Sequence, residues 1–192
     1  MKLAAEVFEG RYLRLEPLVE SHREPLRAAV DRDPPAFDLL PAPWAGEAFD
    51  GFWRQRMEAV AARDYVSYAV RRLADDQVVG SSSFLNLRLA DRGVEIGATY
   101  LQPDARGGLT NAEAKLLMLG QAFDAGAMRV ELVTDQLNLR SQAAIAKLGA
   151  RREGVLRSHR LTWTGRVRDT VVFSILDTEW PAVREGLERR LA

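Results

Sequence analysis

The sequence predicts a single mixed α/β domain over residues 1–192, and three observations carry that expectation. An early strand and two helical stretches lead into a run of strands joined by short turns. Residues 94–149 then read as strand, helix, strand, helix, which argues for locally parallel pairing because a helical crossover joins parallel neighbours. A long hairpin and a last helix close the chain.

In order, "RYLRLEPLV" alternates about Tyr12 to Leu15 and reads as a strand, with Pro17 suited to its edge or its end. Ser21 with Glu24 three residues later is a capping-box pattern for a short helix over 22–30, placing His22 on the surface. The segment "DRDPPAFDLLPAPWAGEAF" holds four of the eight prolines, yet its Phe37, Leu39, Leu40, Trp44 and Phe49 are too apolar for a linker. It is expected to cover a core. From 47 to 62, Phe49, Phe52, Trp53, Met57 and Val60 recur at helical spacing with arginines between them. "YVSYAVRR", "QVVGSSSFLNL" and residues 94–101 read as successive strands.

The strongest local signal follows. Thr110 and Glu113 match a capping box, Asn111 being an alternative cap, and "AEAKLLMLGQAFDA" is dense in helix formers up to a stop at Gly126. "MRVELVT" is a β-branched strand, after which Asn138 caps a helix that ends at Gly149. Two strands joined near Thr164-Gly165 form a hairpin carrying His159, Arg160, Arg166, Arg168 and Asp169, and "TEWPAVREGLERRL" is a helix with Pro181 in its first turn.

Composition removes several classes of function. With 27 basic and 27 acidic residues, no broad attraction to nucleic acid or to an anionic membrane is expected. No stretch approaches a membrane span, and the N-terminus has no signal-peptide core, so a cytoplasmic protein is expected. There is no cysteine, hence no disulfide, thiolate metal site or acyl-cysteine intermediate, and two distant histidines give no basis for a metal centre.

Chemistry concentrates at the two strand-to-helix junctions. In "DARGGLTNAE", Gly107 and Gly108 allow sharp bends that turn successive N–H groups toward one point. The helix start favours an anion there, and Arg106 can add a cation. The loop lacks the Lys-Ser/Thr of a Walker A motif and the spacing of a dinucleotide fingerprint. A plain tight turn fits this stretch equally well. At the second junction Asn138 is either a helix cap alone or also a hydrogen-bonding group for a chain lying between the two strands.

Together, "EIGATYLQPDARGGLTNAEAKLLML", "RVELVTDQLNLRSQAAIAKLGA", "REGVLRSHR" and "RVRDTVVFSILDTEW" resemble the GCN5-related N-acetyltransferases, in the branch of RimJ and RimL, over nearly the whole chain. The resemblance implies a mostly antiparallel twisted sheet with flanking helices and a splayed parallel strand pair that holds acetyl-coenzyme A. The backbone at Ile96, Gly97, Ala98, Thr99 and Tyr100 would then run beside the pantetheine. Arg106, Gly107, Gly108, Leu109, Thr110 and Asn111 would hold the pyrophosphate, with Asn138 and Ser141 close by. The family loop runs Arg/Gln-x-x-Gly-x-Gly/Ala. Here Leu109 and Asn111 stand where small residues are usual, so Leu109 must point away from the phosphates.

The implied reaction is direct attack of an amine, from a small molecule or a peptide, on the thioester. It needs a base, oxyanion donors and a proton for the leaving thiolate. Glu95 is the candidate base, with pairing to a cross-strand arginine as its structural alternative; Glu131 suits that structural role. His159 can bind or deprotonate substrate, and Ser141 or Tyr100 can donate toward the sulfur; spacing does not choose between them. Arg160, Arg168 and Asp169 read as a charge network on a pocket wall. The hairpin and last helix offer surfaces for a homodimer, as in relatives. The contrasting reading is a non-catalytic acyl-coenzyme A-binding or regulatory protein of the same fold.

Overall fold

Among the described residues every strand pairing is antiparallel except one, and that exception opens the gap described below. A computed structural model describes all residues other than Lys2. In chain order the elements are β1 (Phe8–Glu9), β2 (Leu13–Pro17), α1 (Arg23–Val30), α2 (Phe49–Ala61), β3 (Val66–Arg72), β4 (Gln77–Arg88) and β5 (Gly93–Leu101). There follow α3 (Thr110–Asp124), β6 (Arg129–Asp135), α4 (Leu139–Lys147), β7 (Arg151–Leu161), β8 (Val167–Leu176) and α5 (Trp180–Leu191). The strands form one sheet in the order β1-β2-β3-β4-β5-β6-β8-β7. Only β5 and β6 pair in parallel, joined by α3 as a crossover.

The two faces are covered differently. On one, Leu13, Val70, Phe84, Val94, Ile96, Val130 and Phe173 pack under α3, α4 and α5. On the other, α1 and α2 bring Leu26, Val30, Phe49, Phe52 and Trp53 over Ala69, Val78 and Tyr100. The proline-rich segment contributes Phe37 and Trp44 to this second cluster, as its apolar content predicts. A bulge explains why β5 feeds both clusters. Ala98 has φ +47° and the pairing with β4 shifts between Ser81 and Ser83. Val94, Ile96 and Leu101 thus share one face while Tyr100 falls on the other.

Three local readings are corrected. Thr110 and Glu113 do not form a capping box: Leu109 is the cap residue of α3 and makes no side-chain cap bond. The Glu113 carboxylate instead accepts the N–H groups of Arg11, Tyr12 and Leu13 at 2.6, 2.8 and 2.9 Å. Gly10 is required beside it, since a Cβ there would lie 2.3 Å from Glu113 Cδ. Three bonds to a buried carboxylate outweigh one exposed cap. Nor does Ser21 cap α1: a short 3-10 turn over Glu20–His22 precedes that helix. His22 is buried, its Nδ1 accepting the Val19 N–H at 3.2 Å and its Nε2 lying 2.8 Å from Glu16 Oε2.

Candidate active site

β5 and β6 pair only through Gly93–Arg129, Val94–Val130 and Glu95–Glu131. Beyond these, β5 stays with β4 as far as Leu101 and β6 stays with β8 as far as Asp135. Each strand keeps its outer neighbour and loses its inner one, so two facing edges carry backbone donors and acceptors with no ladder partner. Six residues of β5, from Ile96 to Leu101, border the gap, roughly 20 Å of extended chain. Such edges suit a polar, extended ligand that completes the hydrogen bonding. The bulge at Ala98 bends β5 within this stretch.

The gap leads to both junctions. After β5 the chain turns through Pro103–Ala105 and reaches Gly107, whose φ of +75° strongly favours glycine. A Cβ on Gly107 or Gly108 would meet nothing within 4 Å, so the loop faces open space. The N–H groups of Gly107, Gly108 and Leu109 meet no acceptor among the described residues. With the first turn of α3 they offer a row of free donors at the positive end of a helix dipole. Leu109 is half-buried and its carbonyl accepts the Glu113 N–H at 2.9 Å. Arg106 is already engaged: Nε donates to the Leu101 carbonyl at 2.5 Å, Nη1 pairs with Asp33, and the guanidinium lies over the Tyr100 ring. At the second junction Asn138 Oδ1 accepts the Ser141 N–H at 3.0 Å, capping α4 and leaving Ser141 half-exposed on its first turn.

On the α1/α2 side of β5 the central group is Glu95. It is 5 % exposed, and Asn86 Nδ2 donates to its Oε2 at 2.6 Å. Burial raises its pKa above the usual carboxylate value, against the opposing pull of Asn86, Arg160 and Arg168. The arginine pairing belongs to its neighbour. Glu131 takes Arg88 and Arg129, each at 2.9 Å. Gly97 keeps space open at Glu95: a Cβ there would lie 2.7 Å from Oε1.

The hairpin supplies the facing wall. Its tip is fixed by Trp163 Nε1, which donates to the Phe37 carbonyl at 2.9 Å. Arg168 is buried, donates to Thr170 Oγ1 at 3.0 Å and lies 3.9 Å from Asp135. Arg166 pairs with Asp135 as well. The expected partnership of Arg160 and Arg168 with Asp169 is therefore corrected: Asp169 Oδ1 accepts the Ser158 N–H at 2.7 Å and stabilises a bulge in β7. His159 is exposed, and partial burial with Arg160 and Arg168 lowers its pKa. Tyr100 is turned away from the gap. Its hydroxyl donates to the Ala29 carbonyl at 3.0 Å, because the bulge sends the ring toward α1.

Two buried cations had a legible signal. Arg56 continues the Phe49, Phe52, Trp53 stripe at i+7. It donates to Ser83 Oγ at 2.9 Å among the rings of Trp44, Phe52 and Tyr65, and burial lowers its pKa to about 10. Lys115 lies on the Ala112, Met118, Leu119, Ala122 stripe of α3 and is 4 % exposed. No helix among the described residues is long and apolar enough to cross a membrane, and no group of three or more His, Cys, Asp or Glu residues among them is placed to hold a metal.

The sequence model of the acetyltransferase (GNAT) domain matches residues 12–151. The chain belongs to the GCN5-related N-acetyltransferases. A family member from Brucella melitensis is 33% identical, with 98% of this chain and 86% of that one aligned at a TM-score of 0.90. A structure from T. thermophilus assigned as an acetyltransferase is 36% identical over 100% of both chains, TM-score 0.87. Mycobacterium smegmatis RimJ, solved with CoA-disulfide, shares the fold at 20% identity, TM-score 0.77, over 92% of this chain and 88% of its own. There is no match among curated proteins. The eight-stranded sheet with its one parallel pair and five α-helices is the GNAT fold.

Proposed function

We propose that this GNAT protein transfers the acetyl group of acetyl-coenzyme A directly to a primary amine, of a small molecule or a peptide N-terminus. The observation that carries the reading is the gap between β5 and β6, bordered by unpaired backbone and ending at the free N–H groups of residues 107–109. A pantetheine arm is a chain of amides that can pair with the Ile96 to Thr99 edge as an added strand does. The pyrophosphate suits the donors from Gly107 to Asn111, with Asn138 and Ser141 approaching from β6. Arg106 joins that set only by leaving Asp33.

The neutral amine attacks the thioester carbon, the C–N bond forms, and the tetrahedral adduct collapses with cleavage of the C–S bond. Glu95 takes the amine proton, directly or through a water molecule. Its raised pKa suits that task better than an arginine-paired carboxylate would. Ser141 is the remaining side-chain donor for the departing sulfur, since the Tyr100 hydroxyl is held by α1. His159 and Arg160, on β7, face the acceptor. Binding of acetyl-coenzyme A by calorimetry, and thiol release across a panel of small amines and peptides, test the reading. No binding at millimolar cofactor would sink it. Binding without thiol release from any acceptor would favour a regulatory acyl-coenzyme A sensor, a reading that the Arg106–Asp33 pair supports.

A further inference from the structure

Behind the bulge in β5, on the face covered by α3, lies a cluster that the transfer step above does not use. Lys115 Nζ donates to Thr99 Oγ1 at 2.7 Å and to Ser82 Oγ at 3.1 Å, and those hydroxyls are 2.7 Å from each other. Ser82 is fully buried, whereas Thr99 is exposed on the stretch of β5 that borders the gap. The Thr99 hydroxyl thus joins a buried amine to an open wedge. Lys115 sits five residues after the start of α3, about 7.5 Å along the axis. Its Cβ tilts toward the helix start, which brings the amine back toward the glycine loop.

Among the described residues the cluster holds no counter-ion. Burial alone moves the Lys115 pKa, bringing it down to about 7, and no charged group contributes. The charged groups on adjoining elements are committed elsewhere. Glu113 of α3 binds the backbone of residues 11–13, Glu95 of β5 is on the opposite face, and Arg88 of β4 pairs with Glu131. Arg106 pairs with Asp33, and burial pushes the Tyr68 phenol up to about 12, so it stays neutral. A methionine would fill such a site without the desolvation of an amine. A lysine makes physical sense if its counter-charge arrives with a ligand.

We propose that Lys115 is a proton-accepting positioning residue of the donor site: its amine takes a proton from solvent when an anionic acyl-coenzyme A occupies the gap, and the ammonium then anchors Thr99 on the bulged strand. The inference rests on the acyl-coenzyme A reading of that gap. The sign of the linkage follows. Below pH 7 the amine is charged before the donor arrives, and Lys115 adds no pH dependence to the affinity. Above pH 7 binding draws in a proton, so affinity falls with rising pH, by up to tenfold per unit, until the amine of the complex itself titrates.

Calorimetric titration of the full chain with acetyl-coenzyme A tests this, at intervals from pH 6.5 to 9 and in two buffers of different ionisation enthalpy. Wild type at pH 8 takes up close to one proton per donor bound. Lys115→Met binds more weakly at pH 6.5 and loses that uptake. Lys115→Arg, permanently charged, binds without uptake and with a flat profile above pH 7. Titration of the donor's own phosphate appears equally in all three proteins. Equal proton uptake in wild type and Lys115→Met overturns the proposal, as does tight wild-type binding that is flat from pH 6.5 to 9. Failure of wild type to bind at any pH removes the donor-site reading itself, a distinct result. A purely structural lysine would lower the Tm of Lys115→Met and leave the proton count unchanged; wild type and that variant decide the matter even if Lys115→Arg does not fold.

Discussion

Glu95 and Glu131 are the same residue type, on adjacent parallel strands, directly opposite each other in register. Their surroundings separate them. Glu131 lies between Arg88 and Arg129, and Arg129 reaches on to Glu153 of β7, whose pKa that arginine holds down at about 2. Glu95 has an amide for a partner and a glycine beside it, and burial drives its pKa up. Glu131 therefore sits in an ion-pair network that ties three strands together. Burial leaves Glu95 a readier proton acceptor than an arginine-paired carboxylate. Position in the sheet does not distinguish the two glutamates; the distribution of counter-charge does.

The most damaging test of this contrast is Glu95→Gln. The amide keeps the shape and can still meet Asn86, but it cannot accept a proton. Thiol release at pH 7.5 should fall by about 10²-fold or more, the usual contribution of a positioned base. Dissociation of acetyl-coenzyme A should change less than about threefold, because Glu95 lies on the face away from the glycine loop. An unchanged rate across several pH values would end the role of Glu95.

The same substitution at Glu131 should read out in stability instead. Glu131→Gln removes both arginine pairs in a partly exposed network, at about 1 kcal/mol. For a chain of this size that lowers Tm by about 2–4 °C. Thermal unfolding followed by circular dichroism checks it, and the rate per folded molecule should stay within about threefold. A hundredfold loss of rate without a shift in Tm would reverse the assignment of the two glutamates.

Much of this architecture was legible because local signals agreed with the tertiary result. Gly126 and Gly149 stop their helices with φ of +90° and +95°, and Asn138 caps α4. Alternation and turn residues located β3 to β8. The splay itself came through family resemblance, since no spacing rule says that two parallel strands part after three residue pairs. Where the reading failed, a local motif competed with a distant partner. Thr110-x-x-Glu113 is a sound capping pattern, yet the carboxylate finds three N–H groups near the start of the chain. Tyr100 was misplaced because one bulged residue, Ala98, inverts the side-chain alternation after it. Arg56 and Lys115 escape a local reading for the opposite reason. Charge suggested solvent, while their place on apolar stripes pointed inward.

Asn86 offers the finest adjustment of the contrast. It sits at φ +50° where the pairing of β4 with β5 is interrupted, and its amide is the one hydrogen-bond donor to Glu95 among the described residues. That bond favours the ionised carboxylate and offsets part of the rise caused by burial. A base works only when ionised, so kcat/KM should fall as pH drops through the Glu95 pKa. Removing the amide moves that acid limb to higher pH, making Asn86→Ala slower than wild type on the acid side and nearly equal to it well above the limb. Asn86→Asp places a second carboxylate at 2.6 Å spacing and should move the limb further still. Profiles of kcat/KM from pH 5.5 to 9.5 in the three proteins check the order. An acid limb at one pH in all of them would show that the group titrating in the rate is not Glu95, and would return it to the structural role that its neighbour already fills.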